Sequence, residues 1–93
     1  MRLNQEQYKI IKQTVWHFDS RAQIRLFGSR IDNKKKGGDI DLIILSSSLK
    51  LKDKLMIRSI LKEKLGERKI DIILIKKPVT AFEKYTYNNS IPL

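Results

Sequence analysis

The sequence predicts one small domain of the α/β (α+β) class, and three observations support this prediction. A chain of 93 residues provides one hydrophobic core and no second lobe. Segments with helical spacing of apolar residues are interleaved with short strand-like runs. Two of these runs, 39–46 and 68–75, are apolar on both faces, which is typical of central strands. Residues 1–93 are therefore expected to fold as a single domain.

The N-terminal half predicts one helix followed by two strands. Asn4 is suited to cap a helix through Gln7, and apolar residues recur at helical spacing over 4–18. Segment 22–27 alternates loosely and ends at a glycine, so it is predicted to be the first strand. A polar, basic loop follows, and 39–46 is predicted to be the second strand.

The C-terminal half predicts a helix, a strand and a last helix. Segment 49–65 carries apolar residues in a helical pattern, with Gly66 as its C-terminal cap. The third strand, 68–75, is stopped by Lys76-Lys77-Pro78. A short helix over 79–87 and a turn at 88–90 complete the predicted order of elements.

Three aspartates occur at the starts of the two apolar strands. Alternate residues of a strand share a face, so Asp39 and Asp41 are predicted to lie side by side, and Asp71 begins the other strand. Like charges this close favour a bound cation, and carboxylate oxygens suit Mg²⁺. If the strands are neighbours, the three acids converge. In the alternative interpretation, Asp39 and Asp71 are solvated at the strand entrances and only Asp41 is unusual.

Gly28 and Ser29 form a turn after the first strand, where a backbone without a Cβ and a hydroxyl can approach phosphates. Arg30 and the three lysines at 34–36 add positive charge between this turn and the acids. They are candidates for contacts with a triphosphate. A plain turn and a solvated basic loop are the alternative interpretations.

The amino-acid composition limits which binding partners, metal sites and cellular locations are expected for this protein. Lys and Arg outnumber Asp and Glu by 20 to 10, and the resulting charge of +10 attracts nucleotides, RNA or acidic protein surfaces without choosing among them. The absence of cysteine excludes disulfides and thiolate metal sites. With no apolar targeting or membrane-spanning stretch, a soluble, cytoplasmic protein without membrane contact is expected.

Together these motifs resemble the minimal nucleotidyltransferase (MNT) family of the DNA polymerase β superfamily. Its pattern is matched by Gly28-Ser29, by Asp39-Ile40-Asp41 after nine intervening residues, and by Asp71 in a later strand. The resemblance implies a small mixed sheet flanked by helices and transfer of a nucleoside monophosphate from ATP or another NTP. It also implies metal ligation by the three acids, with two Mg²⁺ ions expected, and phosphate contact by Gly28 and Ser29. Arg30, beside this pair, is the third predicted nucleotide-binding residue.

The resemblance further implies a protein acceptor and a biological role. Minimal nucleotidyltransferases are commonly paired with HEPN-domain ribonuclease toxins and act as antitoxins that adenylylate a toxin tyrosine, so a hetero-oligomer with such a toxin is expected. Two alternatives stay open. In the first alternative, the protein is a non-catalytic antitoxin that acts by occlusion. In the second, it is a small basic RNA-binding module, although its aromatic residues fall mainly in predicted helices rather than on strands.

Overall fold

The computed structural model describes residues 4–27, 40–66 and 69–93. Three helices and four strands occur along this part of the chain. In order they are α1 (Gln5–Phe18), β1 (Gln23–Phe27), β2 (Ile40–Leu45), α2 (Leu51–Leu65), β3 (Ile70–Ile75), α3 (Ala81–Asn88) and β4 (Ser90–Pro92). No helix in the described ranges is long and apolar enough to cross a membrane.

The four strands form one mixed sheet in the order β3-β2-β1-β4. β1 runs antiparallel to both β2 and β4, whereas β2 and β3 are parallel and are connected through α2. The predicted class, a small mixed sheet flanked by helices, is therefore confirmed.

The main core lies between one face of this sheet and helices α1 and α2. Every second residue of the strands enters it, including Leu26, Leu42 and Ile72, which meet Ile11 of α1 and Ile57 of α2. Alternate residues of β2 lie on opposite faces of the sheet, as strand periodicity predicts, and Ile40, Leu42 and Ile44 are the ones that belong to this core.

Helix ends agree with the sequence to within two residues. The Asn4 side chain accepts a hydrogen bond from the Gln7 backbone at 2.8 Å, so Asn4 caps α1 and the helix begins one residue later than predicted. Helix α2 begins at Leu51 rather than at residue 49. It ends before Gly66, whose φ of 92° is a conformation that suits glycine. Thr80 caps α3, which starts two residues after the predicted position.

Two strand predictions need correction. Segment 88–90 was predicted to be a turn, but Ser90 begins β4, which pairs with β1. The strand is three residues long and contains Pro92, which argues against a strand in a sequence pattern. β3 was expected to be central because both of its faces are apolar, yet it occupies one edge of the sheet formed by the described residues.

Candidate active site at the start of the parallel strands

Two of the three predicted acids lie side by side. Asp41 and Asp71 are each the second residue of a strand, and the parallel register pairs them directly. Neighbouring strands are about 4.8 Å apart, and paired residues project from the same face. Strand periodicity predicted each position, and the register confirms that Asp41 and Asp71 converge.

The two carboxylates differ in exposure. Asp41 is half-buried in an interior strand, whereas the side chain of Asp71 is 49% exposed to solvent. Asp71 is therefore not buried, because β3 is an edge strand in the described sheet. The ammonium nitrogen of Lys69 lies 3.9 Å from Asp71 Oδ2, but both side chains are exposed and such a pair contributes little.

Apolar side chains follow the acids along the same sheet face. Ile43 is fully buried and Ile75 is 3% exposed, although neither belongs to the main core. The burial of Ile43 and Ile75 covers the second face of the sheet at these two positions. It also places apolar side chains next to the acids on one side, which limits the access of water to the carboxylates from that side.

The third acid and the phosphate-binding residues lie outside the described residues. This applies to Asp39, Gly28, Ser29 and Arg30, and also to the lysines at 34–36. Phe27 and Ile40, the described residues that precede Gly28 and follow Asp39 in the sequence, lie at the end of the sheet where Asp41 is found. The placement of Asp39 and the phosphate-binding residues around the acids stays a prediction.

The donor set can be tested for its fit to a metal ion. Within the described ranges there is no group of three or more His, Cys, Asp or Glu side chains, because only Asp41 and Asp71 of the predicted trio are described. Adjacent carboxylates on two paired strands supply hard oxygen donors of the kind that Mg²⁺ prefers. The residues present are thus compatible with Mg²⁺ ligation.

Arg25 was not singled out by the sequence and has a defined role on this face. Its Nε donates to Ser90 Oγ at 2.6 Å and its Nη2 donates to the Ser90 carbonyl at 2.9 Å. The guanidinium carbon also lies 4.3 Å from the centroid of the Tyr87 ring. These contacts hold the C-terminal segment against the sheet. In the register of β1 and β2, Arg25 lies opposite Ile43.

Comparison with known families agrees with this geometry. The family model described as polymerase beta, nucleotidyltransferase matches residues 9–93. The chain belongs to this family. The matched range contains all three predicted acids and the Gly28-Ser29 pair, so the protein carries a nucleotidyltransferase-type domain. A search of curated proteins found no match.

Proposed function

We propose that this nucleotidyltransferase moves a nucleoside monophosphate, AMP from ATP, to a hydroxyl group of a separate protein. The observation that carries the proposal is the direct pairing of Asp41 with Asp71 on parallel strands, within a domain of the polymerase β family. Carboxylates from two paired strands can hold metal and substrate in a fixed relation, which is most of what nucleotidyl transfer requires of a protein.

Each predicted residue has a role in the reaction, and Asp71 has two. The acceptor hydroxyl attacks the α-phosphorus, the bond to the leaving pyrophosphate breaks, and Asp71 accepts the hydroxyl proton. Asp39, Asp41 and Asp71 ligate two Mg²⁺ ions, which when bound neutralise the triphosphate and lower the pKa of the attacking hydroxyl. Gly28, Ser29 and Arg30 bind the β- and γ-phosphates.

The acceptor in this proposal is a tyrosine of a HEPN-domain ribonuclease toxin, so the protein acts as an antitoxin. Resemblance of the Gly-Ser and Asp-Ile-Asp pattern to minimal nucleotidyltransferases supports this part. The charge of +10 adds attraction to an acidic partner surface and to the triphosphate. A reducing cytoplasm suits a chain without cysteine.

Asp71→Asn tests the catalytic role, because it removes a metal ligand and proton acceptor while the strand keeps its apolar residues. With ATP labelled on the α-phosphate, Mg²⁺ and the cognate HEPN ribonuclease, we expect transfer to fall by at least about 100-fold, the lower range for loss of a general base. Binding of the ribonuclease should persist. Glu63→Gln is the matched control, since Glu63 is an exposed acid on α2, at the opposite face of the sheet.

Two results would decide against the proposal. If Asp71→Asn labels the ribonuclease as fast as the wild type, Asp71 is not part of the catalytic site. If the variant protects cells from the toxin equally well at matched protein levels, neutralisation occurs by occlusion. Binding of RNA without any transfer would instead favour the basic RNA-binding alternative.

A further inference from the structure

Helix α3 presents two aromatic rings to solvent. Phe82 is 62% exposed and Tyr85 is 61% exposed. Residues three apart are neighbours on a helix surface, so the rings lie next to each other, and we call Phe82 and Tyr85 the α3 aromatic face. Large exposed aromatics of this kind often mark a binding surface.

Neither ring belongs to the main core of the described residues. The helix is anchored by Thr86, which is fully buried, and by Tyr87, whose ring lies under the Arg25 guanidinium. Its N-terminus is closed by reciprocal hydrogen bonds between Thr80 and Glu83. Phe82 and Tyr85 are therefore available for a ligand.

The α3 aromatic face adjoins the candidate active site through one residue. The β1–β2 pairs run from Gln23–Leu45 to Leu26–Leu42, and one further step in this register brings Phe27 opposite Asp41. Opposite residues in such a pair are about 5 Å apart. The Phe27 and Tyr85 rings meet edge to face with centroids 6.5 Å apart. The aromatic face is thus connected to the acid-bearing end of the sheet through Phe27.

We propose that Tyr85, with Phe82 beside it, binds the base of the nucleotide by stacking. This inference rests on the proposed function, because the acids and their metal ions must hold the phosphates of the same nucleotide. Every nucleobase has a π-face, so stacking on these rings adds affinity with little preference among bases. It also assigns binding of the nucleoside to α3 and binding of the triphosphate to the sheet end.

The occupant is a nucleobase rather than a macromolecule because of where the rings lie. A base stacked on Tyr85 lies beside Phe27, the residue opposite Asp41, and therefore at the end of the sheet that carries both acids. Aromatic side chains have only two χ angles, so little side-chain entropy is lost when a base stacks on them.

Equilibrium binding of two probes, ATP and inorganic tripolyphosphate, each with Mg²⁺, tests the proposal. Tyr85→Ala should weaken ATP binding about tenfold, within the range known for base–aromatic stacking. Its affinity for tripolyphosphate, which has no base, should match that of the wild type. Tyr85→Phe should restore most of the ATP affinity because the ring is retained. Leu55→Ala on α2 removes a side chain of similar exposure, 52%, from the opposite side of the sheet and serves as the control.

Unchanged ATP affinity in Tyr85→Ala would overturn the proposal, as would an equal loss for both probes, which would show that the change disturbs the fold or the metal site. The proposed function can fail separately. A wild-type protein that binds ATP but transfers nothing contradicts nucleotidyl transfer, and the comparison of the two probes still decides whether the base stacks. Binding of single-stranded RNA that depends on Tyr85 while ATP binding does not would assign the face to RNA.

Discussion

Asp41 and Asp71 have the same place in their strands but different environments. Strand periodicity was enough to predict that each acid begins an apolar strand, and the parallel register then pairs them. Exposure could not be predicted in the same way, since it depends on which strand has a second neighbour. β2 is flanked on both sides, while β3 is flanked only by β2 in the described sheet, so Asp71 is the more exposed acid.

Arg25 shows what local sequence patterns miss. It occupies a strand position between apolar residues, and its partner Ser90 is 65 residues further along the chain. A pattern within β1 contains no trace of this contact. Ser90 in turn donates to the Tyr87 carbonyl at 2.6 Å, so one guanidinium organises the junction between α3 and β4.

Arg25→Met tests this contribution to stability. The substitution keeps an unbranched apolar side chain but removes both donors to Ser90, and hydrogen bonds to charged groups contribute roughly 1.5–3 kcal/mol. We expect the free energy of unfolding to fall by about 2 kcal/mol in urea denaturation. Lys52→Met, on the exposed surface of α2, should change it by less than about 0.5 kcal/mol. Equal effects of the two changes would contradict a specific role for Arg25.

Among the elements, α3 depends most on its ends because it has only eight residues. Isolated helices of this length are marginal in water. Glu83 accepts hydrogen bonds from the backbone N–H groups of Val79 at 3.0 Å and Thr80 at 3.1 Å. Both hydrogen bonds lower the pKa of the Glu83 carboxyl below its ordinary value, and the bond from Val79 has the larger effect. The negative charge is also favourable near a helix N-terminus.

The lowered pKa of Glu83 predicts a pH-dependent stability. A carboxyl whose pKa is lower in the folded state stabilises the fold above its ordinary pKa, and this stabilisation is lost as the pH falls through the folded pKa. The wild type should therefore have a higher melting temperature than Glu83→Gln at neutral pH, and the difference should disappear in acid. Glu63→Gln, on the exposed surface of α2, should show no such trend. A difference between wild type and Glu83→Gln that is constant with pH would contradict the capping role.

The type and order of the helices and the three longer strands were predictable from the sequence because periodicity and caps are local. Asn4 with Gln7 and Gly66 marked helix ends that the structure confirms. The strand order was not predictable from such patterns. It depends on long-range pairing, such as Leu26 with Ile91 of β4, and a three-residue strand containing Pro92 has no periodicity of its own.

At the scale of the whole molecule, the charge of +10 is the dominant electrostatic feature. Such a field attracts nucleotide, RNA and acidic protein alike, so it raises association rates without assigning any lysine to a particular ligand. Two variants that each lose three positive charges, but at different places in the protein, distinguish a local contact with the ligand from the effect of the overall charge. The lysines at 34–36 are the natural choice for the first place, because they lie in the sequence between the Gly-Ser turn and the acids.

Replacing the lysines at 34–36 with alanine should raise the KM for ATP several-fold if they bind the ground-state triphosphate, and should also lower kcat if they stabilise the charge developing on pyrophosphate. Exposed charges contribute modestly, so activity should not be abolished. The control replaces Lys52, Lys62 and Lys64, three exposed residues on α2, with alanine. Equal changes in KM for both triple variants would mean that the overall field, and not the basic loop, attracts the nucleotide. If the 34–36 variant leaves ATP kinetics unchanged but weakens ribonuclease binding in a strongly salt-dependent manner, the loop contacts the protein partner.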